Sequence, residues 1–228
     1  MINELLWIGL LLVNFFMVLF AYKYFGKTGL YAWTAMAVIL ANIQVMKTVS
    51  VFGMVTALGN VVYSSMFLVT DILNENHSKT DAKRAVWIGF FILISTTIIM
   101  QITLFFVSDA SDVLGNSIAN IFGFLPRIAI ASLTAYFISQ MHDVYLFKKL
   151  ENKFGKKKLW LRNTVSTISS QVIDNVLFTF IAFLGVFSWQ IMVEIFITSF
   201  LLKGFIAICD TPFVYWARKM KFPKKPIT

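Results

Sequence analysis

The chain has 228 residues, of which 58% are AVILMFWYC, 24 are Phe and only 14% are charged, with a mean hydropathy of +0.77. Soluble domains carry about a quarter charged residues, and 11 carboxylates with 20 Lys/Arg are too few to cover the surface of a soluble fold this size. The composition is that of an integral membrane protein, and it leaves a net charge of +9 to be placed.

A bilayer core takes about 20 apolar residues per helix. Apolar runs of that order recur at roughly 5–22, 30–48, 52–73, 86–107, 119–147, 164–187 and 190–217. They predict an all-α membrane protein, a bundle of seven transmembrane helices in one domain. The breaks carry turn chemistry: Gly26 and Gly29, the Gly53 region, Asn74–Asn76, Asp109–Gly115, Asn152–Gly155 and Gly185–Ser188. The first run is read as a retained anchor rather than a signal peptide. Glu4 is its one early charge, and no small-x-small cleavage site precedes Tyr22.

The cations lie on alternate breaks. Lys23 and Lys27 follow the first run, and Lys79, Lys83 and Arg84 precede the fourth. Lys148, Lys149, Lys153, Lys156, Lys157, Lys158 and Arg162 fill the longest break; Arg218, Lys219, Lys221, Lys224 and Lys225 form the tail. The intervening breaks hold Asp109, Asp112 and few cations besides Lys47. This positive-inside asymmetry predicts an outer N-terminus, a cytoplasmic C-terminus and seven crossings. The charge is then an orientation signal beside anionic headgroups, and no direct nucleic-acid binding is expected.

Some chemistries are disfavoured. A single Cys209 excludes a disulfide framework. His77 and His142 stand 65 residues apart with no HExxH, and neither GxSxG nor a GxxxxGK[ST] phosphate loop is present. No catalytic set, metal or cofactor is expected. An intramembrane enzyme would have to rest on an unusual carboxylate pair such as Asp143 with Asp174.

The informative residues are ionisable groups inside the apolar runs, where a charge costs roughly 2.5–3.5 kcal/mol on insertion scales. They are Asp71, Arg127, Asp143, Asp174, Glu194, Lys203 and Asp210. Helical spacing groups them into stripes: Asn60, Ser64, Phe67, Asp71 and Asn74; Ser132, Tyr136, Ser139 and Asp143; Thr167, Gln171, Asp174 and Phe178; Lys203 with Asp210 at i, i+7, and Glu194 near the outer end of that helix. Hydroxyls such as Ser132, Ser139 and Thr167 are read as helix glue. Asp71 and Asp143, near cytoplasmic helix ends, suit pairing or function equally. Asp174 with Gln171, and Arg127, Glu194 and Lys203, predict a lined polar cavity, with Asn42 joining from the second run. The six Trp, near the ends of the runs, are read as an interfacial belt.

Several strings carry a resemblance. The segment from Tyr63 to Glu75 (YSSMFLVTDILNE), Arg127 to Ser132 (RIAIAS) followed by Asp143, and Ser166 to Asp174 (STISSQVID) leading into Phe180–Phe183 recur in order. With Glu194, Lys203 and Pro212 in the last run, the chain from about Asn42 to Pro212 resembles the queuosine precursor transporter family, the YhhQ or VUT family. The resemblance implies uptake of 7-deazaguanine bases (queuine or its aminomethyl or cyano precursors) for tRNA modification. It also implies a six-helix core similar to the substrate-binding components of energy-coupling-factor vitamin transporters. On that reading residues 1–29 are an extra N-terminal span and loop, 30–217 the core and 218–228 a basic cytoplasmic tail. Asn175 departs from the family's pattern, where Ser or Thr is expected.

The residue chemistry suits such a ligand. A guanine-like edge presents N1–H and an exocyclic amine as adjacent donors, which one carboxylate accepts for about 1–3 kcal/mol. Asp174 or Glu194 fits that role, with Gln171, Asn42 or Arg127 donating to the carbonyl. Phe178 or Tyr136 fits stacking, worth a further ~1–3 kcal/mol. The expected substrate site is therefore Asn42, Asn60, Asp71, Arg127, Tyr136, Gln171, Asp174, Phe178, Glu194 and Lys203, with membrane lipid around it. Without an ATPase motif, transport runs downhill, on an ion gradient or through an external energising module. A vitamin-binding component of such a module-driven transporter is the alternative.

Overall fold

The computed structural model describes residues 2–154 and 159–220; side chains described within its helices exclude, among others, Asp143 and Thr167. The tail cations Lys221, Lys224 and Lys225, with Lys156, Lys157 and Lys158, lie outside the described residues.

The first two predicted runs form one bent element, α1 (Ile2–Gln44). The bend is at Gly26, with φ 58° and ψ −142°, a backbone conformation that is costly for a residue with a Cβ. Beyond it, Gly29 passes so close to the first arm that an added Cβ would stand 2.3 Å from the Ala21 carbonyl oxygen. The two arms therefore run back on one another. At 43 residues, α1 has about 65 Å of helix, enough for two crossings of a ~30 Å core.

The predicted third run begins later than its apolar content suggests. Residues up to Ala57 form an antiparallel hairpin, β1 (Thr48–Val51) with β2 (Met54–Ala57), paired Thr48 to Ala57 and Val51 to Met54. Its sequence is rich in β-branched residues, and Phe52 and Gly53 both adopt positive φ at the two-residue turn. The all-α expectation is corrected here. Helix α2 (Asn60–Asn76) follows, then α3 (Lys79–Leu104).

The fifth run is also divided. A short α4 (Gly115–Phe122) ends at Gly123, and α5 (Leu125–Phe154) starts with Pro126 in its first turn, where the missing N–H costs nothing. Helices α6 (Leu159–Phe183) and α7 (Trp189–Arg218) complete the chain. Among the described residues, four helical stretches are long and apolar enough to cross a membrane: Ile2–Gln44, Lys79–Leu104, Gly115–Ser139 and Trp189–Arg218. Helix α2 has 17 residues and Ile168–Phe183 is a shorter apolar stretch, so among the described residues length and composition give four candidate spans where seven crossings are expected.

The short α2 is the axis of the bundle, packed between α1, α3 and α7, while α5 packs chiefly on α6. Trp7, Leu11, Phe15, Val18 and Tyr22 form one stripe of the first arm. They are buried with Leu68, Ile72 and Leu73 of α2 and with Leu202 and Ile206 of α7. The reverse face of that arm is equally apolar, with Leu5, Leu12, Phe16 and Phe20 exposed, as suits a helix whose other side meets hydrocarbon. The aromatic belt is only partly realised. Trp87, Trp189 and Trp216 are exposed, but Trp7 is core and Trp33 donates its indole N–H to Ser65 Oγ at 2.9 Å. Trp160 lies outside the described side chains.

Polar contacts define the two ends of the bundle. At one end Asn3 Nδ2 donates to the Ser50 carbonyl (2.9 Å) and the Phe52 N–H donates to Glu4 (3.1 Å), which ties the N-terminus to the hairpin. At the other end Lys27 Nζ and Tyr31 Oη donate to Asp81 Oδ1 at 3.0 and 2.9 Å, and Arg218 pairs with Glu75 at 3.2 Å. There Ser78 caps α3 by accepting from the Asp81 N–H. Asp81 thus accepts from the Ser78 hydroxyl as well as from Lys27 and Tyr31.

Candidate substrate cavity

One polar cavity opens between five helical elements near the hairpin end of the bundle. Its wall is Ala41, Asn42 and Val45 of α1, Gly59, Asn60 and Tyr63 at the start of α2, Ser132 of α5, Asp174, Asn175 and Phe178 of α6, and Ser199 and Lys203 of α7. These segments meet because Gly59 lets α2 touch α1. An added Cβ would lie 2.4 Å from the Ala41 carbonyl oxygen and 2.8 Å from the Val45 nitrogen.

The cavity's polar groups hold one another. Lys203 Nζ stands 3.3 Å from Asp174 Oδ2 and donates to Asn175 Oδ1 at 2.8 Å. The ammonium also lies 5.5 Å from the centroid of the Tyr63 ring, a cation–π distance. Asn175 is in turn oriented by its Nδ2, which donates to the Gln171 carbonyl at 2.9 Å. Across the cavity Asn60 Nδ2 donates to Ser199 Oγ (2.9 Å), and Ser132 Oγ donates to Asn42 Oδ1 (3.4 Å). Asn42 Nδ2 donates to the Val38 carbonyl one turn back, at 2.6 Å. The cavity volume is about 40 Å³. That is room for a few waters and too little for a bicyclic ligand, so a ligand of that size requires these side chains and helices to part.

Of the residues expected at the site, Asn42, Asn60, Asp174, Phe178 and Lys203 meet at this cavity. The others are placed elsewhere by identifiable contacts. Arg127 donates Nε to the Ile181 carbonyl at 2.8 Å and its other nitrogen to the Leu184 carbonyl, which caps the end of α6. Glu194 accepts from the Val55 N–H at 3.1 Å, and Thr198, one turn on, donates to the Val55 carbonyl at 3.0 Å. These two residues pin β2 to α7. Tyr136 packs its ring edgewise on Phe90, 4.8 Å between centroids. Gln171 contributes through its backbone carbonyl.

Asp71 lies at the opposite end of α2, in a second cavity with Glu75, Asp210, Thr211 and Arg218. Lys203 and Asp210 share a helix face, yet seven residues separate them by about 10 Å along the axis and assign them to different cavities. Asp143 and Thr167 lie outside the described side chains. The fold also brings together one Ser–His pair that the sequence kept 27 residues apart, His142 Nε2 and Ser169 Oγ at 2.9 Å.

Tyr63, Asn175 and Ser199 were not among the expected site residues. Spacing contained the signal for each. Tyr63 is three residues after Asn60, Ser199 four before Lys203, and Asn175 adjoins Asp174.

A polar, charge-paired cavity between long apolar helices defines a membrane carrier for a small polar molecule. The chain belongs to the family described as "Putative vitamin uptake transporter", whose model matches residues 57–217. It is 42% identical over 221 residues, covering 96% of both chains, to the "Probable queuosine precursor transporter" of Bacillus subtilis (strain 168). It is also 30% identical over 145 residues to the "Queuosine precursor transporter" of Escherichia coli (strain K12), covering 63% of this chain and 62% of that one. No solved structure matches the chain.

Proposed function

We propose that this protein takes up queuosine precursors, bases of the 7-deazaguanine class, across the cell membrane for tRNA modification. The observation that carries the reading is the Asp174–Lys203 pair in a cavity also lined by Asn42, Asn60 and Phe178. A guanine-like edge offers two adjacent donors to Asp174 and a carbonyl to Lys203, while the Phe178 ring offers a stacking face. The two relatives named for queuosine precursor transport support the substrate class.

The orientation in the membrane is read from charge. Lys27, Lys83 and Arg218 belong to the end opposite the hairpin, and the positive-inside asymmetry makes that end cytoplasmic. The cavity then lies toward the outside, and seven crossings put the C-terminus within the cell. The bent α1 supplies two of those crossings. Its first arm, packed on α2 and α7, is the added span, and the six-helix core follows it.

Uptake decides the matter. Cells unable to make the precursors should accumulate queuine, 7-aminomethyl- or 7-cyano-7-deazaguanine only when they express this chain. The readout is queuosine in their tRNA. No chain-dependent uptake of any of the three overturns the reading. The family's vitamin-uptake description favours one second reading, a vitamin-binding component driven by an ATPase module. An ATPase that co-purifies with the chain, with uptake lost in its absence, would select it.

A further inference from the structure

The Lys203 side chain is only 12% exposed, and the three groups that hold its ammonium are not equivalent. The Asn175 amide oxygen stands 2.8 Å from Nζ, within the ~2.7–2.9 Å of a charge-assisted bond, whereas Asp174 Oδ2 stands at 3.3 Å, beyond it. The third holder is the Tyr63 ring, whose centroid lies 5.5 Å from Nζ. The counter-ion is therefore the looser of the two oxygen partners. Burial agrees: Asn175 is 2% exposed, the Asp174 side chain 23%. Asn175 is locked in its role from its other end. Its Nδ2 donates to the Gln171 carbonyl, one turn back on α6, which leaves the amide oxygen turned to the ammonium.

A buried ammonium that loses its only partner carries a heavy penalty, because the charge is left uncompensated. Here the loss of Asp174 leaves two holders in place. We propose that Asn175 and Tyr63 are positioning residues, which keep the Lys203 ammonium fixed while Asp174 exchanges it for the donors of an entering base. This rests on the uptake reading above. The two adjacent donors of the base go to Asp174, and the N–H of Lys203 that pointed at Asp174 passes to the base carbonyl. The bonds to the Asn175 oxygen and to the Tyr63 face persist throughout. Asp174 ends on two N–H donors and Lys203 on a carbonyl, an amide oxygen and a ring face, so neither charge is stranded at membrane depth. Both residues act on the base through Lys203.

The test is equilibrium binding of 7-cyano-7-deazaguanine to the purified full-length protein. Asn175→Leu, similar in volume but without the acceptor, should weaken binding at least about tenfold in the wild-type background. In a Lys203→Met background the same change should cost no more than about twofold, because nothing is left for Asn175 to position. For the ring, Tyr63→Phe should keep the wild-type affinity. Fluorinated phenylalanines incorporated in place of Tyr63 should then weaken binding with each added fluorine, since fluorine drains negative charge from the ring face and hardly alters its shape. Wild-type affinity in Asn175→Leu, an equal loss in both backgrounds, a loss in Tyr63→Phe or a flat fluorination series would each overturn the inference. The fluorination series decides even where Lys203→Met does not fold or does not bind. Wild-type protein that binds none of the three 7-deazaguanine bases overturns the uptake reading itself, whereas binding with equal losses or a flat series overturns the positioning alone.

Discussion

A carboxylate at membrane depth is expensive, and the two that sequence reasoning ranked together, Asp174 and Glu194, meet that cost differently. Asp174 is paired with an ammonium across a cavity, its side chain 23% exposed and open to exchange of partners. Glu194 accepts from the Val55 N–H and is part of the hairpin's anchorage. The two variants should therefore separate. Asp174→Asn replaces one acceptor by a donor facing the base's own donors, and should weaken base binding by about tenfold to a hundredfold. Glu194→Gln should leave the affinity at the wild-type level but lower the thermal midpoint. A neutral acceptor makes roughly half as strong a bond to the Val55 N–H. Titration of both variants with one base, alongside a melting curve, checks the pair. Wild-type affinity in Asp174→Asn would remove that carboxylate from recognition.

Among the elements, the hairpin and the α1–α2 contact decide where the cavity is. Residues 52–57 read as the start of an apolar run because Phe, Met and Val satisfy a hydropathy window regardless of conformation. The strand signal is the alternation in Thr48–Val51 and Met54–Ala57, too short to outweigh that window. The consequence is that α2 starts at Asn60, so Asn60 and Tyr63 line the cavity from the helix's first turn. The approach of α2 to α1 depends on Gly59. Gly59→Ala drives a methyl group into the Ala41 carbonyl and the Val45 backbone, neither of which is a flexible side-chain end. Such overpacking costs typically about 1–3 kcal/mol. The expected outcome is a lowered melting midpoint together with lost base binding, measured on the purified variant. Unchanged binding would show that the α1–α2 contact does not shape the cavity.

For the whole molecule, the described residues place one polar cavity at the hairpin end of α2 and α7 and another at their opposite end. Ion pairs join Lys27 to Asp81 and Arg218 to Glu75 at the end away from the hairpin. Orientation is directly measurable. In a Cys209→Ser background, a cysteine at exposed Ser50 should react with a membrane-impermeant maleimide in intact cells. A cysteine at exposed Lys83 should react only after the membrane is opened. The reverse labelling would turn the molecule over and place the substrate cavity toward the cytoplasm.

Composition and charge pattern alone determined that this chain belongs in a membrane and that most of it is helical, and they singled out the rare charges within its apolar runs as candidates for function. Those properties are sums over many residues or follow from helical period, and they survive any detail of packing. Asn42, Asn60, Asp174 and Lys203, which line the candidate cavity, were legible in the sequence because polar groups on an apolar helix stand out one residue at a time. Only the tertiary structure decided that Arg127 caps α6, that Glu194 holds β2, and that Asp71 and Asp210 belong to a second cavity. It alone set Lys203 between Asp174, Asn175 and Tyr63. The reason is geometric. Every such side chain has the reach and the chemistry for several partners, and which one it meets depends on how helices distant in sequence approach one another.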